Sequence, residues 1–247
     1  MVNITSEYHK FGLVNNSILC NWTKKVSIFK ESVNNRPAWD ILHSMAQRIG
    51  IFGGTFDPTH LGHLILASEA RTQLQLTRLL WVLTSQPPHK LDQPISALED
   101  RLAMLKLALK DEPDFELSKV DIDRPGPQYT LDTLNLIGHQ NPKADLILLI
   151  GGDSLHDLPT WHQPEKIIAA CHQIGVIRRP GDSIDLSSLE NKIPGITEKV
   201  QFVDAPLLEI ASHEIRERAT EGKPFRYYLL PSVFEYIISH KLYTNSG

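Results

Sequence analysis

Ile49-Gly50-Ile51-Phe52-Gly53-Gly54-Thr55-Phe56-Asp57-Pro58-Thr59-His60-Leu61-Gly62-His63-Leu64 is the stretch on which the reading of this chain turns. Residues 46–52 read as a buried strand, and the residues from Leu64 to Leu76 as an amphipathic helix. The segment between them therefore sits at the carboxyl end of a first strand, where doubly wound sheets bind ligands. Gly53 and Gly54 let the backbone approach a ligand closely and take positive φ. Pro58 suits the first turn of a helix, where its missing N–H costs nothing. His60 and His63, three residues apart, share one helix face. Two imidazoles beside a helix N-terminus suit a phosphate chain. Gly62 leaves room for a base or ribose against the turn.

Working outward, short apolar runs recur at Leu79–Leu83, Phe115–Val120, Leu146–Ile150, Ile174–Ile177 and Val200–Val203. Amphipathic stretches alternate with them: Leu98–Lys110, Tyr129–Ile137 and Pro164–Cys171. This alternation predicts an α/β fold, a doubly wound, Rossmann-like parallel sheet with helices on both faces. The end of the chain is predicted helical, over Ser212–Glu221 with Gly222 as a stop, then around Val233–His240. Residues 1–44 are polar, irregular and rich in Asn, Ser and Lys, and read as a loose N-terminal extension. The compact domain is expected to span 45–247.

The chain has 247 residues, 41% of them hydrophobic, with a formal net charge of −4. Such composition is globular and excludes disordered, collagen-like and low-complexity classes. Slight acidity argues against nucleic acid as a partner, since a general nucleic-acid coat needs a broad basic face. Any polyanion must meet a local positive site. No apolar run reaches the roughly 20 residues of a membrane span, and no secretion signal opens the chain. Cys20 and Cys171 lack the clustering of a disulfide framework or a zinc site and read as thiols in a reduced, cytoplasmic setting. The Asn-x-Ser/Thr triplets at Asn3, Asn15 and Asn21 are then chance matches.

His60 and His63 admit a metal-ligand reading, but no Glu follows the first His as in the zinc-protease motif. The dinucleotide fingerprint G-x-G-x-x-G is absent, so a nicotinamide-dependent dehydrogenase is not supported. From the residues alone Trp161 reads first as a core aromatic, Thr130 as a helix N-cap, and Arg218 as a solvated or structural charge. His139, His156, His162 and His172 form no ligand cluster and read as surface or satisfied positions.

Gly53-Gly54-Thr55-Phe56-Asp57-Pro58-Thr59-His60-Leu61-Gly62-His63 resembles the signature of the bacterial nicotinate-mononucleotide adenylyltransferases, members of the His-x-Gly-His nucleotidyltransferase superfamily. The resemblance continues through Pro87-Pro88-His89-Lys90, Gly126-Pro127-Gln128-Tyr129-Thr130 with Asp132-Thr133, and Ile150-Gly151-Gly152-Asp153. Leu158-Pro159-Thr160-Trp161, Arg178-Arg179-Pro180-Gly181 and Arg226-Tyr227-Tyr228-Leu229-Leu230-Pro231 also match. One departure stands out: the family's Ile-Ser-Ser-Thr-x-Ile-Arg is here Ile210-Ala211-Ser212-His213-Glu214-Ile215-Arg216.

The resemblance implies transfer of AMP from ATP to nicotinate mononucleotide, giving nicotinate adenine dinucleotide and pyrophosphate. It implies catalytic roles for His60, His63 and Arg216. ATP would lie on Gly53, Gly54, Thr55, Phe56, Gly151, Asp153, Ser212 and His213. Ser212 is expected to cap its helix, and His213 to replace the lost hydroxyl with a ring donor. The mononucleotide would meet His89, Lys90, Tyr129, Thr130, Trp161, Arg178 and Arg179, with Trp161 stacking on the pyridine. Mg²⁺ is expected as cofactor, held by phosphates and water without protein ligands. Nicotinamide mononucleotide is an alternative acceptor, the pantetheine-phosphate branch an alternative enzyme, and a non-catalytic nucleotide-binding regulator an alternative of another class.

Overall fold

The computed structural model describes residues 47–86, 95–177, 184–206 and 209–244. The expected extension and the Met45 boundary lie outside them. Six strands form one sheet: β1 (Arg48–Gly54), β2 (Arg78–Leu83), β3 (Phe115–Ser118), β4 (Asp145–Gly151), β5 (Gln173–Ile177) and β6 (Val200–Val203). Every pairing is parallel, and the order is β3-β2-β1-β4-β5-β6. The chain returns to the middle of the sheet after β3, so β1 and β4 lie side by side and a crevice opens at their carboxyl ends.

Strand parity sorts the core. Ile49, Ile51, Leu80, Val82, Leu146, Leu148 and Ile150 face one side. There they pack on α3 (Thr130–Gln140), α4 (Gly152–Asp157), α5 (Pro164–Ala170), α6 (Leu186–Lys192) and α7 (Ile196–Lys199). Phe52, Leu79, Trp81, Leu83, Ile147 and Leu149 face the other, against α1 (Leu61–Gln73) and α2 (Leu98–Leu109). Both faces are apolar, which is why these strands read as continuous hydrophobic runs instead of alternating ones. A third cluster joins Met104 and Ala108 of α2 to Ile215 of α8 (Ser212–Thr220) and Val233 and Ile237 of α9 (Pro231–Ser239). The C-terminal helices thus sit on the outer side of α2 and bring α8 back to β1.

The doubly wound expectation holds, and the boundaries of α1 correct the sequence reading. Pro58 precedes the helix, because His60 is the N-cap. The helix stops at Gln73, three residues before the predicted end. Gln75 takes the left-handed conformation (φ 52°), while its N–H and that of Leu76 donate to Thr72 and Arg71 carbonyls. This Schellman closure normally announces itself by glycine, and here glutamine fills the place. At α8 the expected stop is present: Gly222 (φ 68°) and Lys223 donate to the carbonyls of Ala219 and Arg218. The brief helices α4, α6 and α7 lie outside the predicted amphipathic stretches.

Candidate active site

A cleft of about 1140 Å³ opens at the carboxyl ends of β1 and β4. Its wall includes Gly53, Gly54, Thr55, Phe56, His60, His63, Tyr129, Thr130, Trp161, Ser212, His213 and Arg216. Twelve positions singled out from sequence, spread over more than 160 residues, therefore converge on one cavity. Gly151 and Asp153 sit beside it: Gly151 ends β4 and is the N-cap of α4, and Asp153 lies in that helix's first turn between the lining residues Ile150 and Ser154. His89, Lys90, Arg178 and Arg179 fall outside the described residues.

His60 and His63 are more than two residues on one face. His60 is the N-cap of α1 and His63 its third residue, and they form a reciprocal capping box. The backbone N–H of His63 donates to Nδ1 of His60 at 3.4 Å, and that of His60 to Nδ1 of His63 at 3.3 Å. The rings stack with centroids 3.7 Å apart. Because each Nδ1 accepts, each neutral ring carries its proton on Nε2. The helix cap thereby fixes the tautomer of both imidazoles as Nε2 donors. His60 is only 5% exposed, yet it lines the cleft. Gly62 is needed here, since a Cβ would come within 3.0 Å of the His60 ring; the space left by its missing side chain belongs to that ring.

The turn before α1 is built differently from the sequence expectation. Positive φ falls on Phe56 (46°), and neither Gly53 nor Gly54 adopts it. Phe56 is 2% exposed and meets Phe52, Trp81 and His63 in edge or tilted contacts at 5.2–5.6 Å. Burial of this ring among aromatics holds the backbone in a sparsely populated conformation. Gly54 serves the ring, because a Cβ there would stand 3.0 Å from it.

The N-terminus of α8 faces the same cleft. Its N-cap is Ala211, with no side-chain cap. Ser212, expected to cap, is the first helical residue and donates its hydroxyl to the Pro58 carbonyl at 2.9 Å. One turn on, Arg216 Nη1 donates to the Asp57 carbonyl at 2.7 Å. Helix α8 is thus tied to the turn before α1, and one guanidinium N–H is committed to that tie. Asp57, itself buried, accepts from Ser96 N–H (3.1 Å) and the Tyr243 phenol (2.7 Å). Burial first, then the Asp57 charge and hydrogen bond, push the Tyr243 phenol far above its ordinary range.

Across the cleft, Tyr129 is the N-cap of α3 and Thr130 its first residue, so the expected Thr130 cap is corrected. His162 is exposed, as its surface reading expects, and it also lines the cavity and stacks on Tyr129 with centroids 4.3 Å apart. Trp161 is half-buried, lining the cleft while leaning on the core. Thr84, Asp121, Gln128 and Thr133 also line it and were not singled out for binding. Asp121 is 3% exposed and accepts from Thr133 Oγ1 (2.7 Å) and Arg124 (3.0 Å). No local signal marks this pair, as twelve residues separate Asp121 from Thr133. Arg218 is structural as expected, donating to the Pro224 carbonyl and lying over Tyr228.

Residues 51–218 match the family profile described as cytidylyltransferase-like. A relative in Thermomicrobium roseum, named a probable nicotinate-nucleotide adenylyltransferase, is 48% identical over 196 residues, covering 79% of this chain and 91% of that one. A Roseiflexus relative of the same name is 43% identical over 195 residues, 79% of this chain and 97% of that one. Among solved structures, Plasmodium falciparum nicotinic acid mononucleotide adenylyltransferase complexed with NaAD aligns with TM-score 0.68 at 22% identity. That alignment covers 80% of this chain and 97% of the other, and the likeness concerns the fold.

Proposed function

The chain belongs to the cytidylyltransferase-like family and, within it, to the nicotinate-nucleotide adenylyltransferases, and from that membership and the cleft we infer that it transfers AMP from ATP to nicotinate mononucleotide. The observation that carries the reading is the pair of Nε2-protonated imidazoles at one helix N-terminus, set in the same cleft as Arg216 and a second helix N-terminus without a side-chain cap. Donors and helix dipoles of this kind suit a polyphosphate. Trp161 and the Tyr129–His162 stack line the same cavity with flat faces suited to a pyridine ring.

The acceptor's 5′-phosphate is already an anion, so no general base is needed. One of its oxygens bonds to the α-phosphorus while the bond from that phosphorus to the bridging oxygen breaks, and the electron pair leaves with pyrophosphate. His60, His63 and Arg216 stabilise charge on the leaving group. Ser212 and His213, on the first turn of α8, hold ATP together with Gly53, Gly54, Thr55 and Phe56 at the end of β1 and with Gly151 and Asp153 at the end of β4. Tyr129, Thr130 and Trp161, together with His89, Lys90, Arg178 and Arg179, receive the mononucleotide. Among the described residues no three His, Cys, Asp or Glu side chains gather as a metal-holding group, and the cleft carboxylate Asp121 is engaged by Thr133 and Arg124. A Mg²⁺ ion carried on ATP oxygens and water would supply charge neutralisation at this site. No helix among the described residues is long and apolar enough to cross a membrane. We assign the activity to residues 45–247 and to the cytoplasm.

The test supplies ATP and Mg²⁺ with nicotinate mononucleotide, nicotinamide mononucleotide or phosphopantetheine, and records pyrophosphate. Release with nicotinate mononucleotide, retained when residues 1–44 are removed, is the expected outcome. Release only with another acceptor overturns the substrate, and no release with any overturns the reaction.

A further inference from the structure

A buried cation lies behind the cleft. Arg101 stands in the first half of α2 and is 2% exposed. Its guanidinium donates four hydrogen bonds, and each acceptor is a backbone carbonyl. Nε reaches Ser96 at 3.0 Å, Nη1 reaches Thr55 at 3.1 Å and Thr84 at 2.8 Å, and Nη2 reaches Ser85 at 3.1 Å. These carbonyls belong to three segments: the turn after β1, the residues after β2, and the approach to α2. The Thr84 N–H donates to the Gly54 carbonyl at 2.9 Å, so the two strand ends are also joined directly. Burial draws the guanidinium pKa below its ordinary value and Asp57 opposes this, but arginine keeps its proton throughout the working range.

Sinking a charge here carries a desolvation cost that an aliphatic side chain filling the same volume would not. What the charge does is specific to this end of the sheet. Parallel strands end with carbonyl oxygens, and Thr55 and Thr84 both line the cleft. A polyanion there would meet two negative dipole ends unless something turned them away. The geometry points to Arg101 as a positioning residue: without touching substrate, it holds the Thr55, Thr84 and Ser85 carbonyls on itself, so that the polyphosphate faces no carbonyl oxygen from the β1 and β2 ends. This rests on the ATP reading above.

Arg101→Lys keeps the charge but cannot fork to three segments, and Arg101→Gln removes the charge. Both are measured for kcat, for the two KM values, for thermal unfolding, and for binding of inorganic pyrophosphate by calorimetry. The expected result is an ATP KM raised about tenfold or more and pyrophosphate binding weakened alike, with mononucleotide KM within about twofold of wild type. A residue that served the fold alone would lower the active fraction, and hence kcat, without moving either KM. An unchanged ATP KM in a folded variant, an equal rise in both KM values, or failure of both variants to fold overturns the proposal. Pyrophosphate binding is read without turnover. A wild type that binds pyrophosphate but transfers nothing sinks the transferase reading and leaves this one standing.

Discussion

His60 and His63 each hold a helix end and, in the proposed mechanism, supply an N–H donor to the phosphates, and substitutions separate the two duties. His63→Ala removes the N3 acceptor and the Nε2 donor together. It should cost about 1 kcal/mol of stability through the lost cap and at least about tenfold in kcat. His63→Gln restores a side-chain acceptor at N3, as in ordinary capping boxes, without an imidazole N–H. Its melting temperature should return toward wild type while turnover stays low. Wild-type turnover in His63→Gln would remove the imidazole donor from the mechanism. The tautomer behind this argument was not legible from spacing alone. His-x-x-His gave a shared face, but the reciprocal Nδ1 contacts depend on His60 having extended backbone (φ −138°, ψ 170°) at the cap. Phe56 tells the same story: two adjacent glycines drew attention, and the unusual backbone went to the residue whose ring the core could grip.

Helix α8 departs at its N-cap from the family signature that this stretch resembles: Ala211 stands where that signature has serine. An alanine N-cap leaves the helix mouth without a side-chain oxygen on its first N–H groups. Ala211→Asp should therefore split two quantities. Unfolding in urea should show a gain of about 0.5–2 kcal/mol from the new cap, and the ATP KM should rise about tenfold because a carboxylate now occupies the phosphate approach. A stabilised variant with unchanged ATP KM would show that phosphates do not use this helix end. At the other end, Gly222 adopts φ 68° with open space where a Cβ would stand. Gly222→Ala should cost about 1 kcal/mol in the same measurement, the left-handed backbone being the sole penalty.

Taken whole, the molecule has an alkaline limit that its groups locate. Cys171 is buried, and burial raises its thiol from 9.0 to about 11, with Lys199 opposing weakly. A group whose folded pKa is raised stabilises the fold fully below its unfolded value and loses that contribution as pH climbs through the folded one. Tyr243 acts in the same direction from a higher starting point. Stability in urea should hold up to about pH 9 and fall between there and pH 11, at no more than about 1.4 kcal/mol per pH unit for each group. Labelling of Cys171 at pH 8 should follow global unfolding. Rapid labelling at Cys171 itself in the native protein, read apart from Cys20 by peptide mapping, would show that the thiol is not buried in solution.

Local pattern determined the strands, the main helices and the doubly wound class, because hydrophobic period acts over a few neighbouring positions; that Tyr129, Trp161 and Arg216 join the glycine and histidine segment was expected only from the family resemblance. The His60–His63 tautomer, the tie of Ser212 and Arg216 to the Asp57–Pro58 turn, the Asp121–Thr133 pair and the buried fork of Arg101 were decided by tertiary structure. Each is a hydrogen bond whose partner is a backbone atom or a distant side chain. The His60–His63 contacts need the extended backbone at the cap, and the others need separate segments packed against one another; residue spacing alone encodes neither.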